Sequence, residues 1–158
     1  MEFTPATQDD LAGVDRAAAE FCALWESLRS MPWFGEPFGG GLGDIRALDY
    51  LDYEGIGYPP GGVSAAALVW GRVLARQTGL EWARCSLGGL WLWSDVSNGG
   101  LAVWPLARVG EAQARFFPQF GKYAALTERV LGECLEVYSG SGEIEGRLER
   151  LRADLVGE

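Results

Sequence analysis

The chain has 158 residues, and its 22 acidic side chains against 13 basic ones give a formal net charge of −9 at pH 7. A chain of this length can bury one hydrophobic core without disulfides or metals. The charge disfavours binding to nucleic acid and to anionic membrane surfaces, because both depend on clustered Lys and Arg. Histidine is absent, which excludes histidine-based nucleophilic catalysis and most zinc sites. We predict no metal site and no cofactor.

The cysteines and the N-terminus indicate a cytoplasmic protein. Cys22, Cys85 and Cys134 are odd in number, widely spaced and set among apolar residues, which is typical of reduced, buried thiols. Residues 1–4 have neither the basic start nor the apolar run of a secretory signal.

The first sixty residues predict one long helix and a loop region. Apolar residues recur every three to four positions over residues 8–29, after acids in the first turn, which predicts an amphipathic helix. Residues 31–62 hold nine glycines and four prolines, too many for one continuous element. Within them, residues 44–53 predict a short helix with Asp44 as its cap.

The central block, residues 61–104, predicts a buried helix and a small sheet. The apolar run from Val63 to Gln77 predicts a helix, capped by Ser64 and ended by Gly79. The period then changes to two, with glycine turns between three short segments, which predicts a three-stranded antiparallel meander. Leu90, Leu92 and Ser94 point to one face, and Trp91, Trp93 and Asp95 point to the other. Both faces therefore need cover, and the preceding helix is the candidate for one of them.

The remaining residues predict three helices. Residues 105–117 and a segment ending at Tyr138 have helical period, and the last helix carries a narrow apolar stripe over residues 144–155. The stripe docks on the chain's own core or on another chain. The fold class is α+β, with a three-stranded antiparallel β-meander packed between an N-terminal helical region and C-terminal helices. We predict a single domain over residues 1–158, with its core in 8–138 and a loosely attached terminal helix, 143–156.

The negative charge is concentrated before the central block, which points to a binding surface there. Residues 1–60 carry eleven acids against three arginines, and residues 61–158 carry eleven acids against ten basic residues. Around the Gly/Pro-rich loop the acids alternate with aromatic residues, a mixture that interfaces use for anchoring and steering. The alternative interpretation is that the aromatics anchor a solvated loop. The candidate partner-binding residues are Trp33, Phe34, Glu36, Asp44, Asp49, Asp52 and Glu54.

Other interpretations of the same residues stay open. Asp49 and Asp52 form a carboxylate pair of the kind a glycosidase uses, although the sequence fixes no distance between them. Trp91 and Trp93 belong either to the core or to an aromatic platform for sugars or a partner's side chains. The stripe over residues 144–155 is the feature that a structural subunit of a larger assembly would use.

The run from Gly62-Val-Ser-Ala to Thr78-Gly79-Leu-Glu-Trp82, with the tryptophan-rich hairpin and Pro105 after it, resembles small bacterial domains of unknown function. Some of these look like immunity proteins of polymorphic toxin systems. The resemblance covers residues 61 to about 117 and implies a cytosolic acidic inhibitor that caps a toxin. The first hypothesis is accordingly a non-enzymatic, immunity-like domain that binds a basic protein partner. The second is a small carboxylate-based hydrolase or a sugar-binding protein, and the third is the assembly subunit. The oligomeric state stays open.

Overall fold

The structure is a computed structural model that describes residues 1–28, 38–94, 100–114, 121–138, 140 and 142–156. Within these ranges the chain is α+β, with six helices and one antiparallel sheet of four strands. The elements in chain order are β1 (Phe3–Pro5), α1 (Gln8–Ser27), α2 (Leu42–Tyr53), α3 (Gly62–Thr78), β2 (Glu81–Cys85), β3 (Leu90–Ser94), β4 (Leu101–Val103), α4 (Pro105–Ala114), α5 (Lys122–Val137) and α6 (Gly142–Val156).

The sheet has the strand order β1-β2-β3-β4, with every neighbouring pair antiparallel. The predicted meander corresponds to β2, β3 and β4, but the prediction of three strands is wrong because β1 pairs with β2. In that pairing Phe3 lies opposite Cys85 and Pro5 lies opposite Ala83. A three-residue strand that contains a proline has too little alternation to be recognised in a sequence.

The caps of the helices agree only in part with the predicted ones. Gly79 ends α3 in the left-handed conformation, with φ of 80°, as predicted. Ser64 is not a cap, since α3 begins after Gly61 without a side-chain hydrogen bond. The cap of α2 is Gly41, so the prediction of Asp44 as cap is also wrong. The best-formed cap is at α1, where Thr7 and Asp10 make a reciprocal capping box.

The core lies between one face of the sheet and the helices. Leu92 and Val103, opposite each other on that face, are fully buried. Trp82 shares the face and reaches α3, where a Cβ at Gly71 would come within 2.5 Å of its ring. Trp70 of α3 is fully buried, and its Nε1–H donates to Thr127 Oγ1 of α5 at 2.9 Å. This helix is therefore the central one, as its apolar sequence predicts.

The C-terminal helices pack on this core. Arg108 of α4 donates to both carboxylate oxygens of Glu133 of α5, at 2.8 and 2.7 Å. Leu148 of α6 is fully buried, and Leu151 and Leu155 pack against the core. The leucine stripe thus contacts its own chain. Among the helices described, none is both long and apolar enough to cross a lipid bilayer.

Candidate functional site

The seven predicted partner-binding residues are in four different situations. Trp33, Phe34 and Glu36 lie outside the described residues. Asp44 and Asp49, both on α2, are 1% and 4% exposed. The side chain of Asp52 is 13% exposed. Glu54, which follows α2, is the exposed member of the described four. The α2 carboxylates do not face solvent together, because their positions on the helix point them to different neighbours.

Asp44 holds the chain that precedes α2. Its carboxylate accepts hydrogen bonds from the backbone N–H of Phe38 and, at 2.9 Å, of Gly40. Arg72 and Arg76 of α3 donate to the carbonyl oxygens of Phe38 and Gly39, at 2.9 and 2.5 Å. Burial raises the pKa of Asp44, and the two backbone donors oppose that shift. These contacts give Asp44 a structural role. The two arginines, four residues apart on one face of α3, bind the carbonyl oxygens of the same segment and so attach it to α3.

Asp49 joins α2 to the start of α5. Its carboxylate accepts hydrogen bonds from the backbone N–H groups of Tyr123, at 2.5 Å, and Ala124, at 3.1 Å. These are first-turn donors that a helix cannot satisfy itself. Burial raises the pKa of Asp49 to about 7, against the opposing effect of the two N–H donors. A partner would have to displace these bonds to reach the carboxylate.

Asp49 belongs to a set of polar side chains between α2, α4 and α5 that we call the inter-helix polar cluster: Asp49, Asp52, Tyr58, Gln113, Lys122 and Tyr123. The hydroxyls of Tyr58 and Tyr123 are 2.7 Å apart, and Gln113 Nε2 donates to Tyr58 at 2.7 Å and to Asp52 at 3.2 Å. Lys122 Nζ lies 3.0 Å from Asp52 Oδ2. Burial raises the pKa of Tyr58 to about 12, so its hydroxyl keeps its proton at neutral pH.

The cluster brings the predicted carboxylate pair together, but each carboxylate has donors within the chain. Asp49 accepts from the amides of α5, and Asp52 pairs with Lys122 and Gln113. Acid–base catalysis requires one of these groups to reach a substrate proton. An open groove lies between α5 and α6, away from this carboxylate pair. Its lining contains both acids and arginines: Ala125, Glu128, Arg129, Gly132, Glu133, Leu135, Glu136 and Arg152.

The acidic character predicted for the N-terminal part appears on the outer side of α1. Asp9, Asp15 and Glu26 are exposed there, with Glu20 partly exposed, and Arg16 is the basic residue of this helix. The side chain of Asp15 is 76% exposed although it lies 4.0 Å from Arg72. Asp9, Glu20 and Glu26 make no ion pair with any residue in the described ranges. This helix therefore presents several carboxylates without an ion pair in the described ranges, of which Glu26 accepts a hydrogen bond from the thiol of Cys22.

The sheet has a second apolar face, opposite the core. Residues paired across antiparallel strands share a face, which puts Phe3, Trp91 and Trp93 on the side opposite Leu92, with Trp104 next to them after β4. Phe3 stacks on Trp93 with 5.4 Å between ring centroids, and Trp91 stacks on Trp104 at 5.2 Å. Phe3 also meets Trp91 edge to face at 5.7 Å. We call these four residues the aromatic face.

The aromatic face does not belong to the core. All four rings are partly exposed, and among the described residues none joins the core cluster or packs against it. The strand residues beneath them are small: Ala83 is 3% and Cys85 is 7% exposed. Of the two interpretations of Trp91 and Trp93, core residues or an aromatic platform, the first is wrong, since both lie outside the core cluster.

No family model matches the chain, and neither a curated protein nor a solved structure matches it. Its function therefore has to follow from its own geometry. The sequence does not single out Phe3, and it marks Tyr58 only as one of the aromatic residues around the Gly/Pro-rich loop. The hydrogen bond of Tyr58 could not be predicted, because its partner Tyr123 lies 65 positions away. Phe3 had a weak signal, an isolated aromatic residue ahead of the first helix.

Proposed function

We propose that this chain is a non-enzymatic binding domain for a basic protein partner. The observation that carries the proposal is a set of α1 carboxylates that have no ion pair within the described ranges: Asp9 and Glu26, which are exposed, and Glu20, which is partly exposed, with the exposed Asp15 beside them. Carboxylates of one sign on one surface steer an oppositely charged partner and raise its association rate. A net charge of −9 acts in the same direction.

The contact surface proposed here differs from the one predicted from the sequence, because it lies mainly on α1 and not on α2. Asp44 and Asp49 are engaged with backbone donors, so the acids of α1 and Glu54 are the better candidates for contact. Trp33, Phe34 and Glu36 stay candidates, as residues that precede α2 in the chain. The resemblance of residues 61 to about 117 to immunity-like domains implies a stoichiometric inhibitor as the form that this binding takes.

The experiment is co-expression of the full chain with the products of its flanking genes, followed by size-exclusion chromatography and an affinity measurement. We expect an equimolar complex with a basic protein, weakened as added salt shortens the screening length from about 10 Å at 0.1 M to about 3 Å at 1 M. The test variant reverses three α1 acids, Asp9→Lys, Asp15→Lys and Glu26→Lys.

The matched control reverses three exposed acids of α6, Glu143→Lys, Glu149→Lys and Asp154→Lys. It changes the net charge by the same amount at another place. The proposal predicts a loss of affinity of about tenfold or more for the α1 variant and a much smaller loss for the control. Equal losses would mean that only total charge matters, and a partner without basic character would contradict the proposal.

A further inference from the structure

We propose that the aromatic face is the contact surface for an arginine-bearing segment of a basic polypeptide, and that Glu81 is the residue that pairs with its charge. The inference rests on the proposed function and deepens it, because it assigns the surface and the chemistry recognised there. It starts from four aromatic rings that the core does not use.

Two of the rings, those of Trp91 and Trp104, pack against the β2–β3 turn, and Trp93 is stacked on Phe3. Trp91 Nε1–H donates to the carbonyl oxygen of Gly88 in the β2–β3 turn at 3.0 Å. The next turn residue, Gly89, has φ of +91°, and a Cβ there would lie 2.9 Å from Trp104 Nε1 and 3.2 Å from Trp91 Nε1. Only glycine allows both indoles to approach this turn. Rigid aromatic anchors lose little conformational entropy on binding.

The charge on this face identifies the occupant. Glu81 lies opposite Trp93 on neighbouring strands, so the two share the face, and Glu81 is exposed. Of the strand residues that point to this side, all of them described, Glu81 alone is charged. Arg84 of β2 points to the other side and is bound to Asp10, with Nε–Oδ2 and Nη2–Oδ1 distances of 2.7 and 2.6 Å. Among the described residues of its strands the face is thus aromatic with one carboxylate, while Asp95, which the alternation after Trp93 also predicts on this side, lies outside the described ranges.

A guanidinium group satisfies both features at once. It is attracted to the negative face of an indole within about 6 Å of the ring centroid, and it pairs with a carboxylate through a rigid fork of donors. Paired strand residues have Cβ atoms about 5 Å apart, so one arginine side chain can lie on Trp93 while it reaches Glu81. Lysine offers the same charge without the planar stacking surface.

Other occupants agree less well with the charge. Nucleic-acid bases also stack on aromatic rings, but their phosphates need cations, and the strands present none on this face. A second copy of the chain carries the same net charge of −9 as a whole, so the two copies repel each other. A sugar stacks on planar rings as well, but its hydroxyls need polar partners, and besides the indole N–H groups the strand residues on this face offer one carboxylate, Glu81.

The test uses the 15N-labelled full chain and an end-blocked Gly/Ser peptide that contains two arginines. Matched peptides carry lysine or uncharged citrulline, and a cello-oligosaccharide probes the sugar alternative. The readout is the Nε1–H resonances of Trp91, Trp93 and Trp104, with those of Trp70 and Trp82 as internal references. We expect the arginine peptide to shift the first three, the lysine peptide to shift them less, and citrulline to leave them unchanged.

Single substitutions then measure how much Trp93 and Glu81 each contribute to the affinity for the arginine peptide. Trp93→Ala is expected to weaken arginine-peptide binding about 3- to 30-fold, and Glu81→Gln about 2- to 5-fold. Leu106→Ala on α4 removes an exposed apolar side chain away from the aromatic face and is the control for Trp93→Ala. Glu149→Gln on α6 removes an exposed carboxylate and is the control for Glu81→Gln. Both controls are expected to leave binding unchanged. Trp93→Leu keeps apolar bulk, so its loss of affinity separates stacking on the indole from general burial.

The possible results separate this inference from the proposed function. If a basic partner binds and the α1 variant weakens it while the three indole resonances stay still, the proposed function stands and the aromatic face is not the contact surface. If the oligosaccharide shifts the indoles and the arginine peptide does not, the assignment to arginine is overturned. A concentration-dependent shift without any added peptide would assign the face to a second copy and overturn the inference too.

Discussion

Asp49 is an acid whose pKa the fold raises far above the ordinary value of aspartate. Sequence composition suggests a solvated acid, and the structure buries it against the N-terminus of α5. Burial disfavours the charged form, and the nearby carboxylate of Asp52 adds to the effect, while Lys122 and the two amides oppose it. The outcome is a pKa of about 7, in the range where ordinary buffers change its protonation.

This residue predicts how stability depends on pH. The pKa of Asp49 is about 7 in the folded chain, against 3.8 for an unperturbed aspartate, so between these values the folded state holds a proton that the unfolded state releases. Raising the pH through this window therefore destabilises the folded state, and above about pH 7 the effect of this group is complete. The variant Asp49→Asn cannot titrate, and it keeps an oxygen that accepts from the amides of α5.

Urea unfolding followed by tryptophan fluorescence at pH 5, 6, 7 and 8 measures the effect. We expect the free energy of unfolding of the wild type to fall relative to that of Asp49→Asn as the pH rises, by the order of 1 kcal/mol or more. Taking the difference between the two proteins cancels the titration of the other carboxyls. Parallel pH profiles would show that Asp49 is already ionised at pH 5.

At the scale of elements, the packing of α3 on the sheet depends on one glycine. A Cβ at Gly71 would lie 2.5 Å from Trp82 Cη2 and 3.0 Å from Pro105 Cγ. The tryptophan ring therefore occupies the space that a side chain on this helix would need. The absence of a side chain lets the ring pack directly against the helix backbone.

The variant Gly71→Ala tests this contact. The collision with the ring is expected to lower the free energy of unfolding by about 1–3 kcal/mol, as in other overpacked sites. Gly13→Ala in α1 is the matched control, because nothing lies within 4 Å of its added Cβ. This control should gain about 0.5–1 kcal/mol from the higher helix propensity of alanine. A stable Gly71→Ala protein would mean that Trp82 can move away from α3.

The helices and three of the strands could be predicted because each carries a local pattern. The apolar period of α1 places Phe21 correctly on a buried face. The two-residue alternation of β3 separates Leu92 from Trp91 and Trp93, but it does not say which of the two faces is the core. β1 could not be predicted, since its evidence is a pairing with residues about 80 positions away. The roles of Asp44 and Asp49 were hidden for a similar reason. A carboxylate that accepts backbone hydrogen bonds across the fold has the same sequence context as a solvated one.

At the scale of the whole molecule, the described residues form a hydrophobic core, a polar cluster between helices and two surface features that belong to neither. One face of the sheet and the helices form the core, which includes Leu148 of the C-terminal helix. The inter-helix polar cluster connects α2, α4 and α5 through hydrogen bonds and the ion pair of Lys122 with Asp52. The acids of α1 and the aromatic face take part in neither arrangement. The packing of the described fold does not explain these features, and our two proposals give them a role in binding.

The most direct test of this assignment is the map of amide and indole chemical-shift changes when a stoichiometric basic partner is added to the 15N-labelled full chain. The proposals predict changes on the outer side of α1 and at the indoles of Trp91, Trp93 and Trp104, with the inter-helix polar cluster unaffected. Changes confined to that cluster, or to the groove between α5 and α6, would contradict them.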